Sequence, residues 1–461
     1  MKDSATGQLH VVVLAAGKGT RMRSSRPKVL HEIAGRSMLA HCLDTAAALQ
    51  PASIRVVIGH QGEAVRDAEA ERQVAWVWQD EQNGTGHAVQ IGIDGLRAGA
   101  DDRVLVLYAD VPLLGAGLLE RLIGSSAVVS LLTVHMDDPT GYGRILRDDS
   151  GRVLRIVEQK DANEAERQVR EVNTGILMAR YGDLVAWLDR LESGNAQGEL
   201  YLTDIIEMAA AEDKSVEAVI AEDAWAVTGV NDRLALSRLE RVYQQRQAEA
   251  LALAGTSLAD TARIDIRGSL DCGRDVSIDV GCVFEGDVRL GDNVRVGPHC
   301  VLRDCEIGAG STVEAFSHVD GVVAAGDNAI GPYARLRPGA ALDSAARIGN
   351  FVEIKAARIG ERSKVNHLSY VGDARVGDDS NLGAGTITCN YDGANKHVTE
   401  IGDRVFVGSA TQLVAPVRVG SDATIGAGST ITRDVGEGEL AIARSRQKAI
   451  AGWQRPRKQK D

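Results

Sequence analysis

The feature that most constrains the fold is a six-residue repeat in the second half of the chain. Aliphatic residues stand six positions apart from residue 401 to residue 431, and glycine follows several of them. One inward aliphatic side chain in every six residues is typical of a parallel β-helix, in which three repeats form one triangular coil. The period alone does not determine the hand of the coil. The members of this unbroken series are Ile401, Val407, Leu413, Val419, Ile425 and Ile431.

The amino-acid composition agrees with stacked coils. The chain has 50 glycines among 461 residues, and only 4% of its residues are aromatic. A chain of this length with average composition would have roughly 32 glycines. Glycine suits the tight turns between short strands. We therefore expect a glycine-rich coil whose core has no room for large aromatic side chains.

Charge and cysteine content narrow the class of protein. The net charge of -12 argues against general binding to nucleic acids or to membrane surfaces. No stretch approaches the roughly 20 apolar residues that a membrane helix needs. The six cysteines show no CxxC spacing, which is typical of reduced thiols. We expect a cytoplasmic protein without nucleic-acid or membrane partners.

The first half of the chain alternates apolar runs with helical patterns. Such runs suit parallel strands that are buried on both faces of a sheet. Between the first two runs, apolar residues from Met38 to Ala46 recur at helical spacing. This order predicts an open, Rossmann-like α/β sheet with ligands at the carboxyl ends of its strands. The runs cover Val11–Ala16, Ile54–Ile58, Val104–Tyr108 and Val128–Val134.

These patterns predict two domains joined by a helix. We place the α/β domain at residues 1–231, a linking helix at residues 232–254 and the β-helix domain, with a basic C-terminal tail, at residues 255–461. Leu236 and Leu239 fall on one stripe of the predicted helix.

The turn after the first apolar run, within "VVVLAAGKGTRM", has the character of a phosphate-binding loop. It does not match the dinucleotide fingerprint, because Met22 stands where a glycine is needed, nor a Walker A loop, because Gly19 stands where serine or threonine is needed. What remains is a glycine-rich turn whose backbone N–H groups can surround a phosphate, with Lys18, Arg21 and Lys28 as nearby cations.

Further short motifs occur in both halves of the chain. The first half contains "LAAGKGTRM", "PKVL", "QNGTGHA", "YADVPLL" and "EVNTGI", and the second contains "ARLRPGA", "GNFVEIK", "HLSYVGDA" and "NLGAGTITCNYDGANK". The motifs of the first half, in this order, resemble the signature of sugar-1-phosphate nucleotidylyltransferases. Together, the two sets resemble the family of bacterial bifunctional N-acetylglucosamine-1-phosphate uridyltransferases / glucosamine-1-phosphate N-acetyltransferases over essentially the whole chain. One departure is Ala109, where the family usually has glycine.

The resemblance implies that the β-helix is left-handed and that the chain catalyses two reactions. The first domain would catalyse uridyl transfer from UTP to N-acetylglucosamine 1-phosphate. Arg21 and Lys28 would meet the triphosphate, and Asp110 and Asn231 would hold Mg²⁺, an ion that prefers oxygen ligands. Taken alone, Asp110 could be a strand-end cap and Lys28 a solvated lysine. The implied nucleotide and sugar contacts are Leu14, Ala15, Gly17, Lys28, Gln79, Gln82, Gly84, Thr85, Tyr108, Asp110, Gly143, Glu158, Asn173, Thr203 and Asn231.

The second implied reaction transfers an acetyl group from acetyl-CoA to glucosamine 1-phosphate. An ammonium group is no nucleophile, so a base must take its proton, and His367 is the candidate. Taken alone, a histidine on a strand is more often structural. The implied sugar-phosphate contacts are Arg337, Lys355, Tyr370, Asn381 and Lys396, and the implied acetyl-CoA contacts are Ala384, Asn390, Tyr391, Ser409, Ala427 and Arg444.

The segment "CNYDGANKHVTE" breaks the six-residue phase, so it should leave the coil as a loop, and such loops often carry function. The resemblance also implies a homotrimer with acetyltransferase sites between subunits.

Two alternatives stay open. The chain could be a single-activity nucleotidylyltransferase with a non-catalytic β-helix, which would not require the set His367, Tyr370, Asn390 and Tyr391. A γ-type carbonic anhydrase is a more distant alternative, because it needs a zinc-binding histidine trio. The histidines of the second half show no such grouping; they are His299, His318, His367 and His397.

Overall fold

The computed structural model describes residues 7–458. The chain forms two compact units, and the division between them falls between Tyr243 and Gln244.

The first unit is built on a nine-stranded sheet. The strands are β1 Leu9–Leu14, β2 Ser53–Ile58, β3 Ala75–Trp78, β4 Arg103–Tyr108, β5 Val129–His135, β6 Arg144–Arg147, β7 Val153–Val157, β8 Glu171–Arg180 and β9 Val216–Ala221. The central strand, β1, pairs in parallel with β2 and β4, and the strand order along the sheet is β9-β5-β8-β4-β1-β2-β3, with the hairpin β6–β7 attached to β8. A further two-stranded hairpin joins Glu32–Ile33 to Arg36–Ser37.

The four apolar runs all form strands, with ends that differ from the predicted ones by up to two residues, and the α/β prediction is confirmed. The sheet is nevertheless mixed, because β8 runs antiparallel to both β4 and β5. The middle of β1 is buried on both faces: Val11, Val12 and Val13 are each 0% exposed.

Helices cover the sheet of the first unit. The first begins where the side chain of Ser37 accepts a hydrogen bond from the backbone N–H of Ala40 at 2.8 Å. Its apolar stripe is buried as the spacing predicted. The α-helices are α1 Met38–Ala48, α2 Gly62–Ala68, α3 Thr85–Ile93, α4 Ala116–Ile123, α5 Glu164–Arg167, α6 Tyr181–Leu188, α7 Asp204–Ala211 and α8 Arg233–Leu253, and short 3₁₀ turns cover Thr20–Met22, Lys28–Leu30 and Ala224–Val227.

Helix α8 occupies the segment predicted as a linking helix, and the division between the units falls inside it. Its first half belongs to the first unit, where the fully buried Leu239 joins a small core with Ile33 and Met38. Its second half belongs to the second unit, where Gln244 both donates to and accepts from the backbone of Ile266, at 2.8 and 2.7 Å.

The second unit consists of short strands that pair in parallel from one coil to the next. Partner residues such as Ile330 and Ile348, or Val407 and Ile425, lie 18 positions apart, as three six-residue repeats per coil require. The aliphatic series from residue 401 to residue 431 is at most 4% exposed. The predicted parallel β-helix is therefore confirmed, while its left hand stays a prediction.

The strands of the second unit lie in two sheets, of 11 and 16 strands. The first contains Ser257–Leu258, Ser277–Ile278, Arg295–Val296, Thr312–Val313, Ala329–Ile330, Arg347–Asn350, Lys364–His367, Asn381–Leu382, Phe406–Val407, Thr424–Ile425 and Leu440–Ala441. The second contains Ile264–Cys272, Cys282–Leu290, Val301–Ile307, His318–Asp320, Val323–Ala324, Arg335–Leu336, Ala341–Leu342, Glu353–Lys355, Arg358–Ile359, Tyr370–Gly372, Ala374–Val376, Ile387–Cys389, Thr399–Ile401, Gln412–Val414, Val417–Val419 and Thr430–Ile431.

Aromatic side chains depart from the sequence expectation in one respect. Phe284 is only 1% exposed within the coil core, so the prediction that this core excludes large aromatics is wrong there. Its neighbours on adjacent coils, Ile266 and Leu302, are aliphatic, and the same core contains the small side chains of Cys282 and Cys300. A core needs a fixed total volume, so small residues make room for one ring.

Other rings stack on the outside of the coil. They form an aromatic column, defined as His299, Phe316, Tyr333 and Phe351, whose successive ring centroids lie 5.1 to 5.3 Å apart. About half of the Phe316, Tyr333 and Phe351 surface is exposed.

The predicted loop leaves the coil between Cys389 and Thr399. There, partners on adjacent coils lie 25 positions apart, as Ala374 and Thr399 do, instead of 17 or 18. In the part of the chain that the structure covers, no helix has both the length and the apolar character that crossing a bilayer requires.

Candidate active sites

A cavity opens in the first unit at the carboxyl ends of β1, β3 and β4. Its volume is about 210 Å³. Most of the residues predicted to contact the nucleotide lie around it, and ligands of open α/β sheets bind at this edge. The lining residues are Leu14, Ala15, Ala16, Gly17, Lys28, Val29, Gln79, Gln82, Gly84, Thr85, Ala88, Tyr108, Asp110 and Glu199. Lys18 and Arg21 are not among them.

Two cations and two oxygen-bearing side chains form a cluster at the edge of this cavity, which Lys28 and Asp110 line and Arg21 and Asn231 do not. The Lys28 ammonium forms an ion pair with the Asp110 carboxylate and lies 3.3 Å from the Asn231 amide oxygen. Arg21 donates to the same amide oxygen at 2.8 Å. The backbone explains the meeting: Asp110 lies two residues after the end of β4, and the N–H of Val230 donates to its carbonyl oxygen at 2.8 Å. Residues far apart in the chain therefore form one cluster.

The same cluster fits a hard cation. Asp110 and Asn231 each direct an oxygen to the same ammonium group, so both oxygens lie within reach of one small ion. Within residues 7–458 there is no group of three or more histidine, cysteine, aspartate or glutamate side chains arranged to hold a metal. Two protein oxygens nevertheless suit Mg²⁺, which usually keeps several water ligands and contacts substrate phosphates.

The glycine-rich turn allows a close approach of backbone to side chain. Gly19 has φ +59°, and a Cβ there would lie 2.6 Å from the Lys28 Cβ. A Cβ at Gly17 would meet nothing within 4 Å, which leaves the turn open toward the cavity. The sequence thus needs glycine at position 19 to bring Lys28 beside the turn.

Polar side chains form the far wall of the cavity. Gln79 is 3% exposed and donates to the backbone of Gly84 at 3.5 Å and to His87 Nδ1 at 3.2 Å. Gly84 has φ +107°, and a Cβ there would lie 2.5 Å from the carbonyl oxygen of Leu200. An amide in this position can read the polar edge of a base, because it both donates and accepts.

The residues predicted to contact the sugar form a second group, which does not line this cavity. The backbone N–H of Asn173 donates to the carbonyl oxygen of Gly143 at 2.9 Å, and Thr203 donates to the Glu158 carboxylate at 3.4 Å. A Cβ at Gly143 would lie 3.3 Å from that carboxylate. Burial raises the pKa of Glu158, as it raises that of Tyr108.

In the second unit, several residues predicted for acetyl transfer occupy successive coils. Each carbonyl oxygen accepts a backbone hydrogen bond from the following coil, so the residues form a stack that we call the site column. In it, Asn350 accepts from Leu368, His367 from Gly385, Ala384 from Ala410, and Ser409 from Gly428, over 2.7 to 3.1 Å. Arg444 extends the site column by donating to the carbonyl oxygen of Ala427. His367 itself is exposed.

Cations gather beside the site column. The Lys355 ammonium lies 3.2 Å from both carboxylate oxygens of Asp373, and Arg337 donates to Glu353 at 2.9 Å. Contact with the Lys355 ammonium lowers the pKa of Lys396. Two ammonium groups this close repel each other, and an anion between them would relieve that repulsion.

Asp373 also connects this cation group to the predicted acetyl-CoA contacts. Asn390 donates to the Asp373 carboxylate and lies 3.4 Å from the Tyr370 hydroxyl. Gly372 leaves room for that hydroxyl, because a Cβ there would collide with it. Tyr391 lies on the extruded loop and is 60% exposed, while Asn381 lies on the strand of the following coil that pairs with the strand of His367.

Several residues of these arrangements had no predicted role, among them Glu199, Asp373 and Asn350. Glu199 lines the first cavity and follows a polar segment without a periodic signal. Asp373 and Asn350 lie inside the motifs "HLSYVGDA" and "GNFVEIK", so a signal for them was present. Their contacts, however, come from neighbouring coils, which the order of residues does not reveal.

Two family models match parts of this chain. Residues 11–168 match the family model of the MobA-like NTP transferase domain, and residues 272–304 and 399–433 match that of the bacterial transferase hexapeptide with six repeats.

Curated relatives match along nearly the whole chain. A bifunctional protein GlmU from Ralstonia nicotianae is 54% identical over 98% of this chain and 99% of its own length. Those from Alkalilimnicola ehrlichii and an Azoarcus species are both 56% identical over 98% of this chain, and the match covers 98% and 100% of their own lengths. These relatives favour the bifunctional interpretation over the single-activity alternative. The chain belongs to the family of bifunctional GlmU proteins, with a nucleotidyltransferase unit and a hexapeptide-repeat transferase unit in one polypeptide.

Proposed function

We propose that this enzyme makes UDP-N-acetylglucosamine, a precursor for peptidoglycan and lipopolysaccharide, in two steps: acetylation of glucosamine 1-phosphate and then uridylation of the product. The observation that carries the proposal is that each unit holds its own polar cluster. Lys28 and Asp110 meet at the cavity of the first unit, and His367 lies in the site column of the second. Any parallel β-helix has such backbone bonds, but a non-catalytic one would need neither the exposed His367 nor the cation group that includes Lys355 and Lys396.

In the first step, His367 takes a proton from the amino group of glucosamine 1-phosphate. The freed nitrogen attacks the thioester carbonyl carbon of acetyl-CoA and releases its second proton to water as the amide forms, so that a C–N bond forms and the C–S bond breaks. The departing thiolate receives the proton from the imidazolium, which restores the base. Lys355 and Lys396 supply positive charge for the sugar phosphate, and Tyr391 with the backbone beside Ser409 supplies donors for the oxyanion.

In the second step, a phosphate oxygen of N-acetylglucosamine 1-phosphate attacks the α-phosphorus of UTP, and the bond to pyrophosphate breaks. This reaction needs positioning and charge neutralisation more than covalent chemistry. Arg21 and Lys28 neutralise the phosphates, while Gln79 and Gln82 orient the uracil. The partly buried group around Glu158 and the backbone of Asn173 holds the sugar.

Asp110 and Asn231 are the residues that would hold Mg²⁺. A bound Mg²⁺ neutralises charge on the phosphate oxygens. The support for this assignment is that both side chains direct an oxygen to the Lys28 ammonium.

We further propose a cytoplasmic homotrimer, since UTP and acetyl-CoA are the donors that the chain would need. The support for self-association is the aromatic column, a stack of half-exposed rings along one edge of the coil. Prism-shaped coils can pack side by side around a threefold axis, which would cover such a column.

One experiment tests both steps. The protein is incubated with glucosamine 1-phosphate, acetyl-CoA, UTP and Mg²⁺, and free thiol, pyrophosphate and UDP-N-acetylglucosamine are measured. Parallel reactions omit acetyl-CoA and start from either sugar phosphate. We expect the full mixture to give the nucleotide sugar, and the mixture without acetyl-CoA to give it only from N-acetylglucosamine 1-phosphate. Pyrophosphate release without any thiol release would support the single-activity alternative instead.

A further inference from the structure

Asn350 is the neighbour of His367 in the site column. Its strand, Arg347–Asn350, pairs in parallel with Lys364–His367, and the register places Asn350 opposite His367. The two side chains meet at 2.9 Å, between the amide oxygen of Asn350 and Nδ1 of the imidazole. The sequence motifs pointed to no role for Asn350.

This contact constrains where the imidazole carries its proton. A carbonyl oxygen only accepts hydrogen bonds, so Nδ1 must donate and therefore carries the hydrogen. A neutral ring has one N–H, which leaves the lone pair on Nε2. If the amide nitrogen faced the ring instead, Nδ1 would have to accept, and Nε2 would carry the hydrogen and could not act as a base.

We propose that Asn350 is a positioning residue that holds His367 in the tautomer whose base is Nε2. This inference rests on the proposed function, in which His367 takes the proton of the substrate amine. Asn350 touches the imidazole rather than the substrate, so its effect on the reaction passes through His367.

The backbone around the pair is built for this contact. A Cβ at Gly349 would collide with the carbonyl oxygen of Asn366, so glycine allows the two coils to approach at this point. The carbonyl oxygen of His367 accepts from the Ser369 hydroxyl at 2.8 Å and from the N–H of Gly385 at 3.1 Å. These bonds fix the main chain of an otherwise exposed histidine.

Fixing the main chain does not fix the proton. An exposed neutral imidazole without a constant partner can carry its hydrogen on either nitrogen, and only one arrangement can accept a proton at Nε2. The hydrogen bond from Nδ1 to Asn350 removes this ambiguity. An aspartate at position 350 would keep the acceptor, whereas a leucine of similar size would remove it.

The test compares Asn350→Leu with Asn350→Asp. We expect Asn350→Leu to lower kcat for acetyl transfer by roughly 10- to 100-fold, below the ~10⁴-fold known for a wrong tautomer enforced in a serine protease, with KM for both substrates unchanged. Asn350→Asp should keep kcat within about tenfold of the wild-type value, because the acceptor remains. Arg347→Leu, an exposed position on the same strand, is the matched control and should leave kcat unchanged.

A second readout observes the proton directly. Nitrogen-15 spectra distinguish the two imidazole tautomers, and the signal of His367 is the one lost in His367→Ala. We expect the hydrogen on Nδ1 in the wild-type protein and a mixture of tautomers in Asn350→Leu. Asn350→Ala, which adds no bulk, replaces Asn350→Leu if circular dichroism shows that the latter is misfolded.

The outcomes separate this inference from the proposed function. If Asn350→Leu keeps the wild-type kcat and tautomer while His367→Ala abolishes acetyl transfer, Asn350 has no positioning role and the proposed function stands. If the aspartate and leucine variants lose kcat equally, the position matters for packing and the inference is overturned. If His367→Ala keeps full acetyl transfer, the assignment of the base itself is wrong.

Discussion

Replacing Asp110 with alanine is the sharpest test of the first site. The change removes the carboxylate that pairs with Lys28 and one of the two oxygens proposed to hold Mg²⁺. We expect uridyl transfer to fall by at least 10²- to 10³-fold, the effect of losing one group that stabilises transition-state charge, or roughly 3–4 kcal/mol. Acetyl transfer should not change, because its proposed residues all lie in the second unit.

The same change should also lower the stability of the first unit. The Lys28 and Asp110 side chains are 12% and 23% exposed, so the pair is neither fully buried nor on the open surface. Removing one partner of a buried pair costs about 3–5 kcal/mol, and exposed pairs contribute up to about 1 kcal/mol. We therefore expect the free energy of unfolding of this unit to fall by about 1–3 kcal/mol.

A double-mutant cycle identifies the source of that loss. The Lys28 ammonium has two acceptors in this cluster, the Asp110 carboxylate and the Asn231 amide oxygen. After Asp110→Ala only the Asn231 oxygen remains, at 3.3 Å. Adding Lys28→Met removes the uncompensated charge, so the double variant should be more stable than the sum of the two single changes predicts. Thermal unfolding measures this, and Asp67→Ala, at a carboxylate that is 69% exposed, is the control.

The assays follow pyrophosphate release from UTP and thiol release from acetyl-CoA on the same preparation, with and without a chelator of Mg²⁺. The chelator should stop uridyl transfer and leave acetyl transfer intact. Uridyl transfer that survives either the chelator or Asp110→Ala would refute the metal assignment. Equal loss of both activities would refute the separation of the two sites.

Three further predictions follow from the fold. A fragment that ends at Tyr243 should retain uridyl transfer, and one that begins at Gln244 should retain acetyl transfer, because each keeps its own half of α8. If both folded fragments were inactive alone and both activities returned on mixing, the result would contradict this prediction. Phe316→Asp should shift the protein from trimer to monomer in light scattering, since the charge would interrupt the aromatic column, whereas Val323→Asp, at another exposed position, should not. Burial and the nearby carboxylate of Glu207 raise the pKa of Asp204 from 3.8 to about 6. The folded protein therefore holds this proton more tightly than the unfolded chain does. The stability that results is lost as pH rises through 6. Asp204→Asn should therefore raise the free energy of unfolding at pH 8 by about 1 kcal/mol, a figure reduced for partial exposure. The gain at pH 5 should be smaller. An equal gain at both pH values would show that the carboxylate is not the cause.

The sequence by itself determined the two architectures. A six-residue period has one structural solution, because only a coil of three short strands places the same position inward in every repeat. The aliphatic residues from Ile401 to Ile431 are accordingly buried. The apolar runs of the first half likewise form strands, since a run that is apolar on both faces must be buried on both.

Only the tertiary structure decided how distant residues meet. The antiparallel strand Glu171–Arg180 enters the sheet between two strands that the sequence predicted to be parallel, and its apolar pattern carries no sign of direction. Phe284 is buried in a core expected to hold only aliphatic side chains, because packing responds to the summed volume of neighbours on other coils.

The two candidate sites show the same limit. The motifs include Lys28, Asp110 and Asn231, but the sequence does not show that these side chains meet. They meet because the N–H of Val230 donates a hydrogen bond to the carbonyl oxygen of Asp110, just after a strand. The motif around His367 named the proposed base, whereas its partner Asn350 lies 17 residues earlier and reaches it only through the register of stacked coils. Local sequence encodes strand, turn and residue type, and the pairing of strands determines which side chains share a hydrogen bond.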